Sequence, residues 1–164
     1  MADSAVSYVS QEMRDRKGVW TEPLYSPEVA SSDIRRWAIA VYWPETPPRI
    51  FWDAEYARGT RWGGIVAPQD FNPFAWPIDR TLSFRPPAVP VASARPLTGM
   101  NGGQTDTYGV PIRPGDVIST RSALVDWEER AGRLGLTLYL YNETRWENQR
   151  GETVRTRRST QIRY

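Results

Sequence analysis

Proton transfer in this chain has to run on carboxylates, tyrosines or the one lysine, Lys17, because the sequence contains no His and no Cys. His is the side chain that ordinarily titrates near neutrality, so its absence removes the commonest general acid or base. The same two absences exclude a thiolate nucleophile, a disulfide framework, a Cys/His zinc site and any Ser-His or Cys-His pair. Every basic residue other than Lys17 is Arg, and these are spread from Arg14 to Arg163. A formal net charge of +2 without clustering is not a nucleic-acid footprint.

The elements that must position such groups can be read from periodicity and punctuation. With 164 residues, 40% hydrophobic and 24% charged, the chain is expected to form a single domain spanning residues 1–164. No apolar run approaches the ~20 residues of a membrane span, and the polar N-terminus does not read as a signal peptide. The expectation is a soluble, cytoplasmic protein without a membrane partner. Val6, Val9 and Met13 mark an amphipathic helix within residues 1–18, stopped by Gly18. An extended piece follows over 19–25. Ile34, Trp37, Ala38 and Val41 then predict a helix over 32–42, with N-cap chemistry in Ser31-Ser32-Asp33 and a stop at Pro44. Residues 53–58 read as further helical turns, and Gly63-Gly64 as a turn or close backbone approach.

Seven prolines between Pro68 and Pro96 forbid a long helix or a central strand there. Residues 69–76 could form only a short helix. Residues 77–99 read as a long Pro-rich loop, with Phe84, Val89 and Val91 to bury. Beyond it the pattern turns to strands over 104–110, 117–129, 134–147 and 152–163, separated by turn residues such as Arg113-Pro114-Gly115-Asp116. In the third, Leu134, Leu136, Leu138 and Leu140 share one face and Tyr139 and Tyr141 the other, as in a central strand covered on both sides. Helices first and then an antiparallel meander make an α+β domain.

Three stretches carry a resemblance: Trp62-Gly63-Gly64-Ile65-Val66-Ala67-Pro68, the Asn101-Gly102-Gly103 step, and Ile112-Arg113-Pro114-Gly115-Asp116. In this order, after DIRRWAIAVYWPE and before the strands, they resemble the MaoC-like dehydratase/hydratase family, in particular its FAS1-like N-terminal dehydratase type. The similarity covers residues 20–164. It implies a hot-dog fold, an antiparallel sheet wrapped on a central helix that Pro73 and Pro77 would shorten. It also implies chemistry on acyl-CoA thioesters, hydration of a 2-enoyl-CoA or its reverse, with no cofactor or metal beyond that substrate. Active members carry an Asp and, five residues later, a His after the first long helix. Those positions fall here near Thr46 and Phe51. A second family His-Gly step is occupied by Pro68-Gln69, so no register supplies the His.

The resemblance therefore leaves two readings open. In one, the chain is the non-catalytic half of a heteromeric hydratase, a heterodimer or heterotetramer with a catalytic hot-dog chain, or pairs with itself as a homodimer. Some relatives in steroid side-chain degradation are built in the first way. In the other, an active hydratase or thioesterase uses Glu45, Asp53 or Asp70; a plain acyl-CoA-binding module is a third possibility. Arg58 and Arg61 beside Trp62 could bind CoA phosphates, or be solvated or paired with Asp53 and Glu55. Gly63, Gly64 and the Asn101-Gly102-Gly103 backbone could face the thioester, although a turn that starts a strand is the plainer expectation for the latter. Asp116 is expected to cap a turn. Trp37 and Trp146 are expected in the core, while Trp52, Trp62 and Trp76 stay open. Arg155 and Arg157 share a strand face and are expected to be solvated or to charge an edge.

Overall fold

The computed structural model describes residues 7–77, 79, 88–133 and 135–164. Three short helices, a 3-10 turn and five strands follow in the order α1 (Gln11–Arg16), β1 (Leu24–Tyr25), α2 (Ser31–Tyr42), the 3-10 turn (Arg49–Phe51), α3 (Ala54–Arg58), β2 (Gly99–Tyr108), β3 (Ser119–Gly132), β4 (Gly135–Glu147) and β5 (Thr153–Arg163). Ser10 caps α1 by accepting the Met13 amide at 3.0 Å, and Met13 is fully buried. Ser4 and Val6, read as part of this helix, lie outside the described residues, as does Phe84 in the Pro-rich loop. The described helix is shorter than the spacing suggests.

Helix α2 forms where expected but is held differently at its start. Its N-cap is Ala30, and no side chain caps it. Val29, just before the cap, instead packs with Ile34, four residues past it, in one buried cluster with Ala67 and Phe71. This hydrophobic staple fixes the entry angle without the Ser31-Ser32-Asp33 hydroxyls and carboxylate.

The strands form one antiparallel sheet in the order β1-β3-β4-β5-β2. Strand β4 is central, as its two-sided pattern requires. Leu138 and Leu140 are buried under α1 together with Met13, Val9 and Leu124; Leu134 lies outside the described residues. The opposite face of β4 is covered by polar groups, not by a helix. Arg130 lies 4.6 Å from the Tyr139 ring, and the Tyr141 hydroxyl donates to Glu128 at 3.3 Å. Long charged side chains can cover aromatic surface in this way while keeping their heads wet.

Strand β2 begins five residues earlier than its hydrophobic pattern predicts. Asn101-Gly102-Gly103 is therefore no turn before the strand; it is a bulge within it, where the register with β5 shifts between Asn101 and Gln104. Gly103 takes φ +100°, and its amide donates to the Asn101 Oδ1 at 3.0 Å. A Cβ on Gly102 would come within 2.8 Å of Thr160 Cγ2 on β5, so the close approach of the strands excludes a side chain. Among the described residues, no helix is long and apolar enough to cross a membrane.

The edge strand is fastened by one charged pair. Arg157 of β5 forks onto Asp106 of β2, Nε to Oδ1 and Nη2 to Oδ2, each at 2.7 Å. The Arg157 hydrogen bond, then its charge and that of Arg155, hold the Asp106 carboxyl below its ordinary value, against the opposing effect of burial. A carboxyl whose folded value is depressed binds fewer protons when folded. Its stabilisation is complete above the unfolded value of about 3.9 and is lost as pH falls through the folded one. Asp106→Asn is expected to lower stability by about 1 kcal/mol at pH 7 and to flatten the acid limb below about pH 4. Urea unfolding at several pH values measures this; an unchanged acid limb in the variant would show the pair to be energetically silent.

Candidate functional site

Three prolines, Pro44, Pro47 and Pro48, carry the chain out of α2, and the 3-10 turn then brings it back beneath that helix. Phe51 ends the turn and packs on Tyr42, ring centroids 5.8 Å apart. Thr46 and Glu45, before the turn, are exposed. Asp53 follows as the N-cap of α3. Its Oδ1 accepts the Tyr56 amide at 3.0 Å, and its Oδ2 accepts both Arg49 Nε at 3.0 Å and Nη2 at 2.7 Å. The amide and then the guanidinium hold this carboxyl below its ordinary value. A carboxylate so engaged is a poor base, which argues for a structural task at this position.

Residues 69–76 decide the shape of the interior. They form turns and no helix: the Phe71 amide bonds the Pro68 carbonyl at 3.0 Å, and the Ala75 amide bonds the Asn72 carbonyl at 3.1 Å. Pro73 and Pro77 have no amide proton to continue a helical ladder, and the Pro73 ring would meet the Gln69 carbonyl. The shortening expected from the two prolines is thus complete over this segment. Phe71 and Phe74 still turn inward and are buried.

The space left beside this segment is a cavity of about 250 Å³. Phe51 and Pro68 both line it, so the structure brings together two of the three positions read as degenerate, while Thr46 is exposed and does not line it. Trp62, Phe71, Ile112 and Trp146 add apolar wall. Gly109 closes one side. Its amide donates to the Val154 carbonyl at 3.1 Å, and a Cβ there would fall onto the Thr153 carbonyl oxygen. Among the described residues, the wall contains no carboxylate. An adjoining cavity of about 410 Å³ shares Phe51, Pro68, Gln69 and Tyr108 and includes Asp70, which is exposed and accepts Trp37 Nε1 at 3.4 Å.

The remaining expected residues are dispersed. Arg61 stacks on the pocket-lining Trp62, 4.4 Å from its ring. Arg58 is exposed and bonds the Ala54 carbonyl within its own helix at 3.3 Å. Gly63 sits at φ +66° in the turn after Trp62, and a Cβ on Gly64 would lie 3.8 Å from Arg113 Nη1. Asn101, Gly102 and Gly103 lie on β2 about 20 Å from the pocket-lining Tyr108, at roughly 3.3 Å per residue. Of the tryptophans, Trp37 meets Phe71 and Trp76 edge-on at 5.6 and 6.1 Å, Trp146 is buried, and Trp52 donates to the Pro47 carbonyl at 2.9 Å.

One residue read as unremarkable proves central to the cavity. Arg155 lines it, with its guanidinium 4.0 Å from the Trp146 ring. Burial, and then the neighbouring charge of Arg157, lower its pKa. The tail arginines therefore do not share one solvated role: Arg157 fastens β2, Arg155 faces the cavity, and Arg158 crosses to Glu143 on the other side of the sheet at 3.1 Å. The sequence signal that identifies Arg155 is the pairing of β5 with β4, which sets it opposite Trp146.

Comparison with known proteins gives a consistent result. A family model described as "FAS1-like, dehydratase domain region" matches residues 15–157. Among curated proteins, nothing matches. Solved structures do. The ChsH1-ChsH2 complex from Mycobacterium tuberculosis superposes with a TM-score of 0.69 at 17% identity, covering 93% of this chain and 89% of that one. The HadBC (3R-hydroxyacyl-ACP dehydratase) complex from the same organism gives 0.58 at 19%, over 90% and 97% of the two chains. The R-hydratase PhaJ1 from Pseudomonas aeruginosa gives 0.56 at 17%, over 88% and 79%.

Proposed function

Because the chain belongs to the FAS1-like dehydratase family and has the hot-dog fold, we propose that it is the non-catalytic subunit of a heteromeric enoyl-CoA hydratase or dehydratase. In this role it shapes the acyl pocket for a partner hot-dog chain that carries the catalytic Asp and His. The observation that carries this reading is the composition of the cavity wall: Phe51 and Pro68, two of the three positions read as degenerate, line it, and no carboxylate accompanies them among the described residues. Addition of water to an enoyl thioester needs a base for the water and an acid for the α-carbon. Such a wall offers no carboxylate for the base, and Tyr108 is its one tyrosine among the described residues, yet it can bury an acyl chain and exclude solvent from it. That two of the structural neighbours are themselves complexes of two named chains supports the assembly.

A second reading follows from Asp70, whose adjoining cavity shares four of the same lining residues. There a lone carboxylate would activate water for hydration or thioester hydrolysis. One experiment separates the two. The purified chain is assayed alone, and then with a catalytic hot-dog chain, on short, long and steroid-like 2-enoyl-CoA substrates. The expected result is no hydration or thioester cleavage by the chain alone, and a rate at least about a hundredfold higher on adding the partner. Robust turnover by the isolated chain, abolished by Asp70→Asn, would replace the first reading with the second.

A further inference from the structure

Among the described residues, the cavity wall holds one charged group, Arg155, and the nearest carboxylate, Asp106, is committed to another partner. Among the described residues, Arg155 makes no ion pair, because the nearby Asp106 carboxylate is gripped by both arms of Arg157. Its other neighbours are the Trp146 ring at 4.0 Å and the Tyr108 phenol, its register partner on β2. Both can hold the flat guanidinium in place, and neither neutralises it. A cation left partly desolvated in an apolar wall lacks part of its hydration and gains from an anion that enters with an apolar body attached.

We propose that Arg155 forms an anion subsite in this cavity, so that the pocket takes an apolar acyl body bearing a carboxylate that meets Arg155. The choice of carboxylate over phosphate follows from the donor count. A single planar guanidinium matches a carboxylate two-for-two, whereas a doubly charged phosphate calls for more positive charge than is provided by a wall whose other polar side chains are the neutral Gln69 and Tyr108. The cavity of about 250 Å³ exceeds the ~150 Å³ that accepts a benzene ring, so a ring or a medium-length chain fits. The carboxylate could belong to a thioester with a distal acid group or to a free acid; both present the same group to Arg155.

The inference rests on reading the cavity as an acyl site, and its test separates the two. Octanoate and octanamide have the same chain and differ in charge. Calorimetric titration of the full chain is expected to show octanoate binding about tenfold to a hundredfold more tightly than octanamide. Arg155→Met is expected to abolish that preference, and Arg155→Lys to retain part of it. Equal binding of the two by the unaltered chain overturns the anion subsite and leaves the acyl site standing. Binding of neither overturns both. Competition by suberyl-CoA, which carries a distal carboxylate, against octanoyl-CoA, which does not, distinguishes the thioester source from the free acid. Because the octanoate–octanamide comparison uses the unaltered protein, the result does not depend on whether the methionine variant folds.

Discussion

Trp146→Ala is expected to cost about 3–5 kcal/mol, the largest loss of stability from any single truncation in the wall. The side chain sits at the junction of three interests. It is buried in the cluster with Phe74, Ile118 and Val154, it forms part of the cavity, and it carries the Arg155 guanidinium at 4.0 Å with that of Arg157 at 5.7 Å. Removing the indole deletes the apolar contacts and leaves a void that merges with the existing cavity, so neighbours cannot close over it cheaply. It also strips Arg155 of its stacking surface, a further effect of about 1 kcal/mol. Against a total stability of about 5–15 kcal/mol, such a loss places the variant near its unfolding threshold at 37 °C. Urea unfolding is the measurement. With a slope of about 2 kcal/mol/M the midpoint should fall by roughly 1.5–2.5 M, and Trp146→Phe should fall by less than half of that. A shift below about 0.5 M would mean that the cluster reorganises around the gap.

How much of this could be read in advance depends on the range of the interaction. The strands of the second half are locally encoded: Pro114-Gly115-Asp116, Gly132 and Asn148 to Gly151 punctuate alternating runs, and the observed boundaries fall close to those marks. The loss of helix over residues 69–76 is equally local, since Pro73 and Pro77 forbid it wherever the segment lies. Strand β2 misled because Asn101-Gly102-Gly103 has turn composition, and only its pairing with Thr160 and its neighbours on β5 makes it a bulge. Asp53 looked like a free carboxylate near a cleft, whereas its position before α3 makes it a cap. Arg155 was the least legible of all. Its alternation with Arg157 suggested a common solvated face, but the cavity exists only because the β5–β4 register and residues 50–73 converge from segments far apart in the chain. Local chemistry fixed the elements, and the candidate site arises from contacts across long separations.

Asp116→Ala is expected to lower stability by about 2–4 kcal/mol, for a reason unrelated to catalysis. The carboxylate is 2% exposed. Its Oδ2 accepts the Arg113 amide at 2.8 Å, which closes the Pro-Gly turn before β3, and its Oδ1 accepts Arg150 Nη1 from the β4–β5 hairpin at 3.2 Å. Its own carbonyl accepts the Val29 amide at 2.9 Å, beside the staple that starts α2. One residue thus ties the first half of the chain to the sheet, and the Ala67 amide bonds the Ile112 carbonyl at 2.8 Å in the same region, setting the cavity wall against the turn. Alanine would leave the Arg113 amide without its acceptor and Arg150 with only Glu152, its partner at 2.7 Å. The backbone links would remain, so the loss should be partial and not catastrophic. Asparagine offers one acceptor where two are needed and turns an amide donor toward other donors, so Asp116→Asn is expected to cost about half as much. Thermal unfolding resolves the series: a fall of roughly 4–16 °C for alanine, and a smaller one for asparagine, at about 2–4 °C per kcal/mol for a domain of this size. If asparagine matched the unaltered chain, the charge of Asp116 would be dispensable and the turn would owe its stability to backbone bonds alone.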